Sequence, residues 1–127
     1  MSKRTILQIF GTASAQFVLA YLTLYIQAIY PVWSSPFWPA SGAALAACIL
    51  GGPWMLLGVY IGLALPNLTL WSATPNWISL VLPIGNVMET ALAWLLLKSI
   101  HKRFDYRFSR VNQITWFLVV ALSLIHI

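Results

Sequence analysis

The chain alternates long apolar runs with short polar breaks. The apolar runs cover about 6–29, 38–50, 54–70 and 77–97, and a further run extends over 113–127. A helix rises about 1.5 Å per residue, so the first and fourth runs are long enough for the roughly 30 Å hydrocarbon core of a bilayer. We predict an all-α, multi-span transmembrane helix bundle with four complete spans and an incomplete fifth.

The region 38–70 allows two interpretations: one broken span, or two short spans that meet at Gly51-Gly52-Pro53. The basic residues favour the second. Lys3 and Arg4 lie at the N-terminus and five more basic residues fall within 98–110. Cytoplasmic flanks of membrane helices are enriched in such residues, so an even number of spans is expected between the two groups. This predicts a multi-pass membrane protein with a cytoplasmic N-terminus.

Composition supports a membrane protein. Of 127 residues, 61% are hydrophobic and 7% are charged, whereas a soluble domain carries about 25% charged residues. The basic residues behind the net charge of +5 flank the apolar runs. They do not form a basic face with stacking aromatic side chains, so nucleic acid is not an expected partner. Expected partners are the lipid bilayer, a homodimer or membrane protein, and an unknown small-molecule ligand.

Glu89 is one of two acidic residues and the only charge in the run 77–97. A carboxyl group in hydrocarbon costs several kcal/mol unless something compensates. Asn86 lies one turn earlier on the same helical face. The sequence leaves two roles open for Glu89: a hydrogen bond that holds helices together, or a ligand contact, proton acceptor or conformational trigger.

Other chemical groups are sparse. The single cysteine, Cys48, is interpreted as a packing residue. No nucleophile–base, phosphate-loop or metal-ligand pattern is present, so neither enzymatic activity nor a metal or other cofactor is expected. Small residues predict close helix packing, and the candidates are Gly42, Gly58, Gly62 and Gly85.

Three segments, taken together, resemble the first type of bacterial membrane-associated sensor domain. They are Phe37-Trp38-Pro39-Ala40-Ser41-Gly42, then Gly58-x-x-x-Gly62 leading to Pro66-Asn67-Leu68, then Gly85-Asn86-Val87-Met88-Glu89-Thr90. The resemblance covers about 37–121. Ala40 stands where the family often has a second proline, Thr90 where it often has alanine, and the turn at 51–53 lacks the family's basic residues.

The resemblance implies about eight spans followed by a cytoplasmic output module, such as a diguanylate cyclase, a cyclic-di-GMP phosphodiesterase or a histidine kinase. It implies signal input as the function and a bacterial inner membrane as the location, and the candidate sensing residues are Glu89, Asn86, Ser41, Trp38 and Asn67. Residues 122–127 look like translated sequencing-adapter read-through, and the chain is expected to be truncated before its output module. A transporter or channel component and a small scaffolding subunit are the alternatives.

Overall fold

The computed structural model describes residues 2–30, 38–70 and 75–100. Within these ranges the chain forms four α-helices and no strand: α1 (Lys3–Ile29), α2 (Pro39–Gly51), α3 (Met55–Leu70) and α4 (Asn76–Ile100). The all-α prediction is confirmed. The predicted incomplete span over 113–127 lies outside the described residues.

Local sequence explains where these helices begin and end. The Ser2 side chain caps α1 by accepting a hydrogen bond of 3.2 Å from the Thr5 backbone N–H. Pro39 occupies the first turn of α2, where its missing N–H is not needed. Gly52 follows α2 with φ of 78°, a backbone conformation that glycine adopts without a Cβ penalty. The chain therefore turns at Gly52-Pro53, as the sequence predicts, and α2 and α3 are separate helices.

Two of the four helices are long and apolar enough to cross a membrane. They are Lys3–Ile29, with a mean hydropathy of 1.5, and Asn76–Ser99, with a mean hydropathy of 1.7. The helices α2 and α3 are also apolar but contain only 13 and 16 residues. The structure thus supports two candidate spans by length, fewer than the four complete spans that we predict from the sequence.

The most extensive helix interface joins α1 and α3. A Cβ on Gly58 would lie 2.6 Å from the Ile9 carbonyl oxygen, and a Cβ on Gly62 would collide with the Ala13 carbonyl oxygen. The two backbones are therefore in near contact, which only glycine permits. Residue numbers rise together along both helices at these contacts, so α1 and α3 run parallel.

The short helix α2 begins beside the middle of α1. The Gln16 side chain, at the midpoint of α1, donates a hydrogen bond of 3.0 Å to the Ala40 carbonyl oxygen in the first turn of α2. Near the other end of α2, Cys48 packs with Ile9. The two helices are therefore antiparallel, and α2 lies beside only half of α1. Its length of about 20 Å is less than a bilayer core, as expected for the short second run of the sequence, and the structure does not confirm it as a span.

Small side chains fill the interior and large apolar side chains cover the outside. One buried cluster contains Ala20, Ala40, Ala44, Val59 and Leu63. Large exposed side chains occur on every helix, for example Leu7, Leu50, Leu57 and Leu92. So many exposed large apolar side chains are unusual on a water-soluble protein of this size. The distribution favours lipid as the surrounding solvent.

Gly42 and Gly85 differ from the expected packing role. Within the described bundle both are exposed, and a Cβ on either would meet no atom within 4 Å. The physical reason is helix orientation: each glycine lies on the side of its helix that faces away from the other described helices. Of the four candidate glycines, only Gly58 and Gly62 occupy a close contact between helices.

Replacement of Gly62 by alanine tests the role of the backbone contact. We expect Gly62→Ala to lower the free energy of unfolding by about 1–3 kcal/mol, the usual cost of overpacking a filled site. Gly85→Ala is the matched control, because it adds the same methyl group in open space and gains up to about 1 kcal/mol of helix propensity. Unfolding in mixed micelles, followed by tryptophan fluorescence, measures both. Equal effects of the two substitutions would contradict the assignment.

Candidate functional site

Polar side chains from two long helices meet at the first turn of α2. The Gln16 amide on α1 donates to the Ala40 carbonyl oxygen. On the next residue, the Ser41 side chain is close enough to the Glu89 carboxyl group on α4 to form a hydrogen bond with it. Neighbouring residues of α2 are therefore tied to α1 and to α4. We call Gln16, Ala40, Ser41 and Glu89 the polar junction.

The polar junction lies near the middle of both long helices. Gln16 is the central residue of Lys3–Ile29, and Glu89 is one residue past the centre of Asn76–Ile100. Both helices are long enough to cross a bilayer, and in a helix that crosses one the midpoint lies at the depth at which polar groups are most costly. The polar groups of the junction compensate one another only in part, because within the described ranges the Gln16 amide nitrogen is paired and its Oε1 atom is not.

One face of α4 points into the bundle. Its members follow alternating spacings of three and four residues, as one face of a helix requires, and they are Ser79, Pro83, Asn86, Thr90, Ala93 and Leu97. Glu89 is half-buried and lies beside Thr90 at the edge of this face. The carboxyl group is thus accessible from the outside of the described bundle and still contacts Ser41.

The first turn of α2 supplies a partial positive charge next to this carboxyl group. Ser41 is the third residue of α2. No described side chain caps this helix terminus, but Pro39 has no N–H and the Ser41 N–H already bonds to the Trp38 carbonyl oxygen at 3.3 Å, so the partial charge is that of the helix dipole. Unpaired N–H groups at a helix N-terminus favour an adjacent negative charge by about 0.3–1 kcal/mol, and by up to about 2 kcal/mol when the pair is partly buried. A carboxylate at Glu89 gains this interaction, whereas a neutral carboxylic acid gains little of it.

Ser41 suits both states of the acid. A serine hydroxyl donates to an ionised carboxylate, and it can also accept a hydrogen bond from a protonated one. The hydrogen bond between Ser41 and Glu89 can therefore persist through protonation, while the interaction with the α2 dipole changes. The arrangement can hold or release a proton, or exchange the serine for a hydrogen-bonding ligand.

Gln16 is the residue whose importance the sequence analysis missed. It is 1% exposed, and its Oε1 atom has no hydrogen-bond partner among the described residues. A buried acceptor left unpaired costs about 1–3 kcal/mol. The signal available in the sequence is a glutamine at the centre of an apolar helix. Its role becomes clear only when its hydrogen-bond partner on α2 is known.

The remaining candidate residues differ in their hydrogen-bond partners and in what they pack against. Trp38 precedes α2 and packs against the cluster that contains Ala40. Asn86 is half-buried, and its backbone carbonyl accepts a hydrogen bond of 2.8 Å from the Thr90 hydroxyl. Asn67 donates its amide to the Leu63 carbonyl oxygen at 2.8 Å, within α3. The structure thus joins Ser41 to Glu89, whereas the amide of Asn67 serves its own helix.

Chemistry at the polar junction is limited to hydrogen bonding and proton exchange. In the described ranges, no group of three or more His, Cys, Asp or Glu residues could hold a metal ion. The junction contains one carboxyl group, one hydroxyl group and one carboxamide. These groups can bind a proton or a neutral hydrogen-bonding molecule.

Comparison with known proteins adds no relative: no family model matches the chain, and neither a curated protein nor a solved structure matches it. The resemblance to the membrane-associated sensor domain therefore stays a prediction.

A double-mutant cycle tests the hydrogen bond between Ser41 and Glu89. We expect Ser41→Ala to cost about 1 kcal/mol of unfolding free energy in the parent protein and a few tenths in a Glu89→Ala background. The coupling energy is expected at about 0.5–1.5 kcal/mol, a range that includes measured couplings in membrane helices. Ser99→Ala is the control, because its hydroxyl bonds to the carbonyl oxygen of Leu96 in the same helix. Additive effects would show that the two residues do not interact.

Proposed function

We propose that this chain is the membrane-embedded signal-input part of a bacterial signal-transduction protein. It relays ligand occupancy or protonation to a cytoplasmic output module. One observation carries the proposal: the first turn of α2 is tied to Gln16 near the middle of α1 and to Glu89 near the middle of α4. A change at either tie alters the position of α2 relative to the two long helices.

A membrane location is the first part of the proposal. The apolar exterior and the two long apolar helices support it. We propose that α2 and α3 also lie within the bilayer, as two short spans, with the N-terminus and the turn at Gly52-Pro53 on the cytoplasmic side. The parallel arrangement of α1 and α3 supports this topology, because it places the start of both helices at the same side of the bundle.

The second part is a two-state response of α2. Loss of the carboxylate charge at Glu89 weakens its interaction with the α2 dipole by about 1 kcal/mol. That energy changes the ratio of two conformations about fivefold. It is well below the roughly 5.5 kcal/mol that complete conversion requires. Protonation alone therefore gives a graded response, and a ligand that replaces the Ser41 hydrogen bond adds to it.

The sequence resemblance supports signal input as the use of this response. Ser41 and Glu89, which meet in the structure, come from two of the three segments that resemble the sensor domain. In that family the spans precede a cytoplasmic cyclase, phosphodiesterase or kinase. The proposed output of α2 movement is therefore cyclic-di-GMP turnover or phosphotransfer in an attached module.

A transporter or channel component is the second candidate. The observation that favours it is the start of α2 near the middle of α1, because transporters often place the end of a broken helix at their substrate site. Substrate flux into vesicles that contain the purified protein would favour this function. A cytoplasmic signalling domain encoded downstream in the same reading frame would favour signal input.

Substitution of Glu89 in the complete signalling protein tests the proposed function. Glu89→Gln keeps the shape and hydrogen bonding of the side chain but cannot ionise, so we expect output to change about fivefold and to lose its dependence on external pH. Met88→Leu is the control, since this neighbouring residue is 60% exposed and the substitution keeps an apolar side chain there. Unchanged output from a normally inserted Glu89→Gln protein would make Glu89 a structural residue only.

Cysteine labelling tests the topology. In a Cys48→Ala background, single cysteines at Ser2, Pro53 and Ser99 should all react with a membrane-impermeant maleimide from the cytoplasmic side. If α2 and α3 do not cross the bilayer, Pro53→Cys reacts from the periplasmic side instead. Periplasmic labelling of Ser99→Cys would overturn the even number of crossings.

A further inference from the structure

A cleft of about 350 Å³ lies between α1 and α2, on the side where Gln16 is located. Its α1 wall carries Gln8, Thr12 and Gln16, and its α2 wall carries Ala43, Ala47 and Gly51. The residues of each wall are spaced four apart, so each wall is one face of a helix. The volume lies at the lower end of the range of small-molecule sites.

Gln16 is the feature that indicates a ligand. The residue lines the cleft, is 1% exposed and has an unpaired Oε1 acceptor among the described residues. The assignment of oxygen and nitrogen is fixed by Ala40, because a carbonyl oxygen requires the amide nitrogen as its donor. A ligand whose hydroxyl or N–H group reaches this oxygen can satisfy it.

The other lining residues restrict the ligand to neutral molecules. None of the residues that line the cleft is charged, and an unpaired charge in such a site would be costly. The Thr12 hydroxyl is directed to the Met55 sulfur at 3.4 Å, so the oxygen of Thr12 remains an acceptor. The small and apolar α2 wall suits a hydrocarbon chain.

We propose that this cleft binds a neutral amphiphile from the lipid phase, with a hydroxyl or N–H donor on Gln16 Oε1 and a hydrocarbon chain along Ala43 and Ala47. A second transmembrane helix is a poorer occupant, because its backbone N–H groups are already bonded within the helix. The proposal rests on the membrane location given in the proposed function but not on signalling. Gln16, which would hold the ligand, bonds to Ala40, and Ala40 directly precedes Ser41 in α2.

Photolabelling of the 127-residue chain in phosphatidylcholine vesicles tests this site. The probes are a diazirine-bearing decanol and its methyl ether, which have the same hydrocarbon chain but differ in the ability to donate a hydrogen bond. We expect the alcohol to label segments 8–16 and 43–51 at least fivefold more than the ether. Excess unlabelled decanol should remove the labelling. Equal labelling by the two probes, or no competition, would overturn the proposal.

Two matched pairs of variants locate the contacts. Gln16→Met should abolish the preference for the alcohol, whereas Gln27→Met, elsewhere on α1, should retain it. Ala47→Phe fills the cleft and should reduce labelling by both probes, whereas Ala46→Phe lies on the exposed face of α2 and should not. Retention of the preference in Gln16→Met would contradict the assigned acceptor.

The binding assay separates this proposal from the proposed function. Helix content by circular dichroism in the same vesicles shows whether each variant is folded. If Gln16→Met loses its helices, the comparison of alcohol with ether in the parent chain still decides the proposal. An Ala47→Cys, Cys48→Ala variant that an added oxidant links into disulfide dimers, with no preference for the alcohol probe, would assign the cleft to a second copy and overturn the proposal. Specific labelling with unchanged signalling in Glu89→Gln would retain the site and reject the proposed function.

Discussion

The backbone contact between α1 and α3 determines where every other part of this bundle lies. At Gly62 the α3 backbone approaches Ala13 and the Cβ of Gln16, so no side chain fits between the helices. This contact fixes the register of two parallel helices. The tight turn at Gly52-Pro53 then requires α2 to return beside the first half of α1. The start of α2 near the middle of α1 follows from the register and from the length of α2.

The polar groups at that depth satisfy one another only in part. Gln16 gives its amide hydrogen to Ala40 and keeps an unpaired oxygen. Glu89 has Ser41 as its hydrogen-bond partner and remains half-buried. A fully satisfied network would be more stable, and a fully apolar one would avoid the cost of burial. A polar group that keeps an unpaired hydrogen-bonding atom at a helix junction can still bind a ligand or a proton.

The sequence predicted the helices better than their arrangement. Hydropathy located the four helical segments, and Pro39 and Gly52-Pro53 marked the limits of α2, because these are local properties of the chain. Ser41 and Glu89 were both chosen as candidates, yet nothing in their spacing showed that they touch. Their contact depends on the register between α2 and α4, which side-chain packing sets.

The same limit explains what the sequence analysis missed. Gly42 and Gly85 match a small-residue pattern as well as Gly62 does, but only the packed structure shows which glycine faces another helix. The oxygen of Gln16 became informative once its nitrogen was found to bond to Ala40. Length alone also gave no indication that α2 begins near the midpoint of α1.

The proposed ligand and the proposed proton would act on the same turn of α2 from opposite sides. A molecule on Gln16 changes the group that holds Ala40, and protonation of Glu89 changes the group that faces Ser41. Since these residues are adjacent in one helical turn, a shift caused by either event changes the geometry of the other. Thermodynamic linkage then requires that the ligand alter proton affinity by the same factor by which the proton alters ligand affinity. A coupling of about 1 kcal/mol, the size of one helix-terminus interaction, gives a factor of about five in each direction. The short helix is therefore the element through which a lipid-phase molecule and a change in pH would be integrated.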